Sequence, residues 1–355
     1  MSETNIKNIL LIKLCCLGDI IFFTPVIENL RINYPEAKIT LICAKWLKNI
    51  VPYVKNIDEV IYYEGPYEKS LIKKIISTIK TIFLLRKNNY DLTVIGHRNS
   101  FYGLFAKLSG IKYRLGYTGT KYLTHSVDFD SVTHIVDKNI ALLTPLNIRI
   151  EKKETTLKRI RDAAEVKKEN GIVTDKKIVG IFPFGGVNPG TEMSIKRWDL
   201  ENYLETVRVI SENYFVILFE GREPGEELSK DFLLNENVVI KTMENDLLTV
   251  CDIFLSGDTG PLHIAAALGV NTVALFGPSD PELLKPLSSA YSENITIWKK
   301  PYCSPCYTPV TAADRSNPKY WHGNKFICHT GTHICMKSIT VEEVTESIKK
   351  INLNK

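Results

Sequence analysis

Residues 257–281, Gly-Asp-Thr-Gly-Pro-Leu-His-Ile-Ala-Ala-Ala-Leu-Gly-Val-Asn-Thr-Val-Ala-Leu-Phe-Gly-Pro-Ser-Asp-Pro, decide how the chain folds. The apolar run Ile253-Phe254-Leu255 just before them reads as a buried strand, and the chain then turns sharply through Ser256 to Gly260. Pro261 suits the first helical position, Leu262 to Leu268 suit a short helix, and Gly269 suits its C-terminal cap. Thr272 to Phe276 form a second buried strand, closed by Gly277-Pro278. A strand–turn–helix–strand unit leaves unpaired N–H groups and a partial positive charge at the helix N-terminus. Those groups suit a phosphate or diphosphate, so a nucleotide-type donor is the first expectation.

The same alternation extends in both directions from this unit. Toward the N-terminus, Ile6 to Leu14 is a strand, followed by the loop Cys15-Cys16-Leu17-Gly18-Asp19. An amphipathic segment, Ile20 to Tyr34, comes next, with Pro25 in its first turn or at a kink. Strands at Ile39 to Cys43 and Val60 to Tyr63, a helix at Lys69 to Arg86, an apolar run at Leu92 to Ile95 and a short helix at Phe101 to Leu108 follow. Residues 151–176, rich in Lys, Arg and Glu, read as a surface helix leading into a linker. The pattern restarts with a strand at Lys177 to Phe182, a helix at Leu200 to Ser211, a strand at Phe215 to Phe219, a helix at Gly225 to Leu234 and a strand at Asn237 to Lys241. Val341 to Ile351 has an amphipathic helical pattern. Strands alternating with helices at these lengths predict an α/β protein with parallel sheets. Two Rossmann-like domains are expected, over 1–170 and 177–335, with 336–355 packing back toward the first. Facing each other, they would leave a central cleft at the carboxyl ends of both sheets, where ligands bind in this class.

Composition agrees with that size and class. The 355 residues are 44% hydrophobic and 24% charged, as in a soluble globular protein able to build two cores. No apolar run reaches the length of a membrane span. The N-terminal residues lack the basic start, apolar middle and small-residue cleavage site of a signal peptide. A cytoplasmic protein is expected, and its eight cysteines then read as thiols or ligands rather than disulfides. Residues 1–175 hold 27 Lys and Arg against 18 Asp and Glu, whereas the remainder holds 18 against 22. A basic N-terminal half suits an anionic acceptor or membrane surface, or is simply a solvated lysine-rich face. Nucleic acid is not expected, because no recognised binding motif accompanies the charge.

Four ordered motifs then carry a resemblance. The opening ILLIKLCCLGDIIFFTPVIENLRINYP, residues 9–35, resembles the start of glycosyltransferase family 9, the heptosyltransferases of lipopolysaccharide inner-core assembly. The elements Lys196-Arg197-Trp198, Asp258-Thr259-Gly260-Pro261-Leu262-His263 and Cys303-Ser304-Pro305-Cys306 recur in that family in the same order. The resemblance implies the two-domain GT-B fold, with acceptor on the N-terminal domain and nucleotide-sugar on the C-terminal one. It also implies inverting, metal-independent transfer, usually of heptose from ADP-heptose, to a lipopolysaccharide core or related glycan or glycolipid. Such an acceptor brings with it peripheral contact with the inner membrane face.

The resemblance assigns roles to residues that other readings also fit. Asp19, at the end of the first strand, would be the general base that takes the acceptor hydroxyl proton; spacing alone fits an ordinary helix N-cap as well. Lys196 would meet the donor diphosphate and neutralise charge on the departing nucleotide, although residues 187–194 lengthen the loop ahead of it. Glu223, after Gly221 at a strand end, would hold the ribose, with Glu220, Glu226 and Glu227 close in sequence. Thr259 and Gly260 would cradle the diphosphate through backbone N–H groups. Asp258 either accepts from a sugar hydroxyl or braces the turn, and His263 either donates to a phosphate oxygen or is a satisfied helix histidine. Cys15 and Cys16 read as packing groups. No cofactor is expected for transfer. Cys303, Cys306, Cys328 and Cys335 could hold a structural zinc or iron, but their spacing favours reduced thiols. Acceptor contacts are expected around residues 96–125, where His97, Arg98, Tyr113, Arg114, Tyr117 and Lys121 cluster.

A nicotinamide-dependent oxidoreductase fails at the first turn, which lacks Gly-x-Gly-x-x-Gly. A transferase of the same fold using a hexose or N-acetylhexosamine nucleotide, and a binding protein without turnover, are the remaining alternatives.

Overall fold

The computed structural model describes residues 6–129, 133–222, 224–229, 232, 235–287, 292–351 and 353. The chain divides into two compact units, Met1–Lys158 and Arg159–Lys355. The division falls ahead of the predicted linker. The one helix between 151 and 176 is the short Ala163–Glu169, which opens on an Asp162 cap and lies inside the second unit.

The first unit holds β1 (Asn8–Ile12), β2 (Lys38–Cys43), β3 (Glu59–Tyr62), β4 (Leu92–Ile95), β5 (Tyr113–Tyr117) and β6 (His125–Val127), all parallel. Their order in the sheet is β3-β2-β1-β4-β5-β6. β1 is central, with Leu10 aligned to Thr40 on one side and Thr93 on the other. Its residues Ile9 to Ile12 are fully buried, which is why it reads as a continuous apolar run. β5 and β6 are not among the strands expected from the sequence. Their half-exposed residues and the embedded Gly116 dilute the apolar signal that exposed β1 and β4 to view. The segment expected as one helix is two, Leu17–Ile21 and Thr24–Asn33, with Pro25 in the first turn of the second. Pro25 has no N–H for the Ile21 carbonyl, and the Thr24 hydroxyl donates to it instead at 2.8 Å.

The second unit repeats the plan. It holds β7 (Ile178–Phe182), β8 (Val187–Asn188), β9 (Thr191–Glu192), β10 (Phe215–Glu220), β11 (Val238–Thr242), β12 (Ile253–Gly257), β13 (Asn271–Phe276), β14 (Asn294–Trp298), β15 (Trp321–His322) and β16 (Lys325–Phe326). Six of these form a parallel sheet ordered β11-β10-β7-β12-β13-β14, the same 3-2-1-4-5-6 winding as the first. In such a winding the direction of travel reverses between the first strand and the fourth, where ligands of doubly wound sheets bind. Those places are β1 beside β4 and β7 beside β12.

One expectation is corrected in this unit. Residues 225–229, read as the start of a helix over Gly225 to Leu234, make a turn and irregular chain, and residues 230, 231, 233 and 234 of that expectation lie outside the described residues. Gly225 has a φ of +84°, and the Gly221 N–H donates to the Glu226 carbonyl at 2.9 Å, folding the chain back on itself. The closing helix, Val341–Lys350, packs on Leu200–Ile210, β13 and β14. The insertion ahead of Lys196 also acquires a partner. β8 and β9 form a hairpin, β9 pairs with β16, and β16 pairs with β15. Met193, Ile195, Trp321 and Phe326 make a small core beneath them. No helix among the described residues is long and apolar enough to cross a membrane.

Candidate active site

In the first unit the chemistry gathers where β1 ends. Asp19 lies in the helix Leu17–Ile21, and its Oδ2 accepts from the Cys16 N–H at 3.2 Å. Its Oδ1 is 2.8 Å from Nζ of Lys13, one residue past the end of β1. The Lys13 side chain is 5% exposed whereas that of Asp19 is 37% exposed, so the carboxylate is reachable by a ligand and the ammonium is not. Lys13 is fixed from behind by donating to the Gly96 carbonyl at 3.0 Å. His97, following β4, accepts the Leu14 N–H on Nε2 at 2.8 Å, which leaves any ring proton on Nδ1. Burial, with Lys13 beside it, lowers the His97 pKa to about 3, so the ring is neutral.

Burial pushes the Asp19 pKa up, but the Lys13 charge and hydrogen bond and the Cys16 N–H outweigh it. The net shift is downward, so Asp19 is ionised at neutral pH. Lys13 is the functional residue that sequence reading missed. Its one signal was a lysine closing an otherwise apolar strand. The sulfurs of Cys15 and Cys16 and an Asp19 oxygen all lie within 4.8 Å of one another. A hydrogen bond to Cys15, burial and the Asp19 charge raise the Cys16 pKa, keeping it a thiol. These three donors do not fit a cation, because the Lys13 ammonium already neutralises the carboxylate.

Of the residues expected near an acceptor, Arg114 is occupied within the fold. It donates from Nε to the Tyr122 carbonyl at 2.8 Å and from Nη1 to that of Ile111 at 2.5 Å. Tyr117 donates to Asn139 Oδ1 at 3.0 Å and is buried. Arg98 lies over the Phe129 ring at 4.3 Å.

In the second unit the turn after β12 brings three of the singled-out residues, Lys196, Asp258 and His263, together. Asp258 Oδ2 is 2.5 Å from Lys196 Nζ and accepts from the Ser279 hydroxyl at 2.6 Å, while its Oδ1 faces His263 Nε2 at 3.3 Å. Both members of the Lys196–Asp258 pair are buried, at 12% and 6% exposure. Burial opposes ionisation of Asp258, but Lys196 and His263 overcome it and hold the carboxyl well below its usual range. Asp258 therefore braces Lys196 at the start of the helix Gly260–Ala267, capped by Thr259. The Asp258 charge is matched by that of Lys196. His263 is turned to Asp258 rather than outward. The helix keeps the unpaired first-turn N–H groups that any helix presents, less the one that Pro261, which has no N–H, cannot supply. Two glycines make the packing feasible. A Cβ on Gly257 would lie 2.8 Å from the Lys196 carbonyl, and one on Gly185, whose φ is +101°, would lie 2.6 Å from Thr259 Cγ2.

Glu223 lies outside the described residues. Its neighbours are committed elsewhere: Glu226 Oε1 takes Arg197 Nη2 at 2.7 Å, Glu220 Oε1 accepts the Leu228 N–H at 2.8 Å, and Glu227 Oε2 accepts the Gly225 N–H at 2.9 Å. The four C-terminal cysteines are gathered within electrostatic reach of one another. Burial and then Cys335, Cys303 and Cys328 push Cys306 up to about 12; burial and then Cys303 and Cys328 push Cys335 up to about 11. At neutral pH those two are protonated thiols. Among the described residues, no three of the four bring their sulfurs within 4.8 Å of one another.

Comparison with known proteins places this geometry. The model of glycosyltransferase family 9 (heptosyltransferase) matches residues 79–315. Lipooligosaccharide heptosyltransferase 2 of Campylobacter jejuni is 22% identical over 352 residues, covering 95% of this chain and 96% of that protein. Lipopolysaccharide heptosyltransferase 3 of Escherichia coli is 26% identical over 305 residues, covering 78% and 83%. The structure of E. coli ADP-heptose lipopolysaccharide heptosyltransferase II superposes with a TM-score of 0.71 at 20% identity, covering 96% of this chain and 97% of that one. The fold is thus the GT-B arrangement of two Rossmann-like domains.

Because the Lys196–Asp258 pair is buried, removing one partner strands the other. Lys196→Met is expected to cost the second unit about 3–5 kcal/mol, read as a drop in thermal midpoint. Lys196→Met with Asp258→Asn should recover most of that loss. Additive losses in the double variant would show that the two charges are not coupled.

Proposed function

The chain belongs to glycosyltransferase family 9, the heptosyltransferases, and on that premise we propose that it moves heptose from ADP-heptose onto a lipopolysaccharide core or related surface-glycan acceptor, with inversion. The first unit binds the acceptor and supplies the base; the second binds the nucleotide-sugar. The acceptor oxygen attacks the anomeric carbon, its proton passes to Asp19, and the bond from that carbon to the diphosphate oxygen breaks, releasing ADP. Lys196, held by Asp258, and the first-turn N–H groups around Thr259 and Gly260 neutralise the charge that builds on the diphosphate. His263 acts through Asp258, and Glu223 takes the ribose hydroxyls. No metal takes part. A peripheral position on the cytoplasmic membrane face belongs to this reading, since the acceptor is a glycolipid.

The observation that carries the proposal is the Lys13–Asp19 pair: an ionised, reachable carboxylate whose counter-charge is buried behind it. Asp19→Asn is expected to bind ADP-heptose with nearly wild-type affinity by titration calorimetry and to lose turnover. Transfer by that variant at the wild-type rate would remove Asp19 from the chemistry. Tighter binding of a UDP- or GDP-sugar than of ADP-heptose would replace the donor.

The pH profile tests the role of Lys13. A carboxylate with a depressed pKa stays ionised as pH falls through the ordinary carboxylate range, so the acid limb of kcat should lie below that range. Lys13→Met removes the neighbouring positive charge and should shift that limb to higher pH. An unmoved limb in this variant would separate Lys13 from the titration of the base. Dialysis of the wild-type enzyme against a chelator should leave transfer unchanged. Loss of transfer restored by zinc or ferrous iron alone would bring the four cysteines into the mechanism.

A further inference from the structure

The helix Leu71–Lys87 presents its apolar side to solvent. The side packed on the first unit is largely polar or small, with Ser77, Thr78 and Thr81 beside Ile82 and the fully buried Leu85. Thr78 is hydrogen-bonded to the Tyr63 hydroxyl at 2.7 Å, and Arg86 Nε donates to the Leu108 carbonyl at 2.7 Å, so the helix is pinned in this orientation. Ile72, Ile75, Ile76, Ile79 and Phe83 are each between 46% and 70% exposed. At the helical repeat they share an arc of about 100°. Lys73, Lys80 and Lys87, all exposed, form a row along one border of that arc. No acidic residue occurs between Glu68 and Asp91.

Single exposed apolar residues are ordinary, but five on one face of one helix mark an interaction surface. The unopposed lysine row selects the occupant. An apolar stripe bordered by uncompensated positive charge matches a bilayer interface, with acyl chains against the stripe and anionic headgroups against the row. We propose that Leu71–Lys87 lies in the surface of an anionic membrane and docks the first unit there. This deepens the proposed function and rests on its glycolipid acceptor: docking by this unit brings Asp19 to substrates held in the bilayer.

The full-length protein should co-sediment with phosphatidylcholine vesicles containing phosphatidylglycerol and not with phosphatidylcholine alone. Added salt should weaken the binding. The triple variant Ile72→Ser, Ile76→Ser, Phe83→Ser should abolish it, and Lys73→Gln with Lys80→Gln should weaken it by about fivefold per lysine. Both variants change only exposed side chains, so transfer from ADP-heptose to a water-soluble, deacylated core glycan should stay at the wild-type rate. Absence of wild-type binding to the anionic vesicles, or undiminished binding by the triple variant, overturns the proposal. So does a wild-type dimer in sedimentation velocity that the triple variant converts to monomer, which would make this face a contact between copies. Failure of every form to transfer to the soluble glycan would count against the transferase reading, leaving the vesicle result to be judged by itself.

Discussion

A largely buried lysine paired with a carboxylate in the turn after a parallel strand is the constraint on which the rest of this molecule depends, and among the described residues each unit has one. Lys13 with Asp19 closes the turn after β1, and Lys196 with Asp258 closes the turn after β12. In both, the lysine is largely buried, and a buried ammonium is tolerated only when its charge is answered. The carboxylate in turn is held ionised against its own burial. The pairs differ in exposure: Asp19 keeps a reachable edge, as the proposed base needs, whereas Asp258 is enclosed against its lysine.

For the proposed role of Asp19 as base, the Lys13 contact has opposing consequences. It guarantees the ionised form at neutral pH but weakens that form's hunger for a proton. Transfer chemistry tolerates this because the acceptor oxygen loses its proton as it attacks, when it has become far more acidic. A depressed folded-state pKa also means that this pair supports the fold above the ordinary carboxylate pKa. The support fades as pH falls through the lowered value.

Much was legible in the sequence because parallel strands buried on both faces spell themselves out. β1, β7, β12 and β13 are almost wholly apolar, and the glycines and proline around Asp258 mark the turn between strand and helix. The edges were harder. β5, β6 and β14 are partly exposed and carry mixed residues, so their period is blurred. The Gly225 turn was mistaken for a helix, because Glu226 and Leu228 face inward for reasons lying elsewhere in the chain. Lys13 gave almost no signal, since a lysine at a strand end is usually a solvated one.

By itself the sequence determined the alternation of strand and helix in both units, the strand–turn–helix at Asp258 and the loop that bears Asp19, because these follow from local periodicity and from what glycine and proline allow. Tertiary structure decided which charges meet. Asp258 reaches Lys196 across 62 positions, the insertion at 187–194 finds its partner strand at 325–326, and an apolar helix is left facing outward because its polar side hydrogen-bonds to the body. None of these has a local cause: each depends on burial that exists only after distant segments pack, and burial sets both the cost of a charge and the exposure of an apolar face.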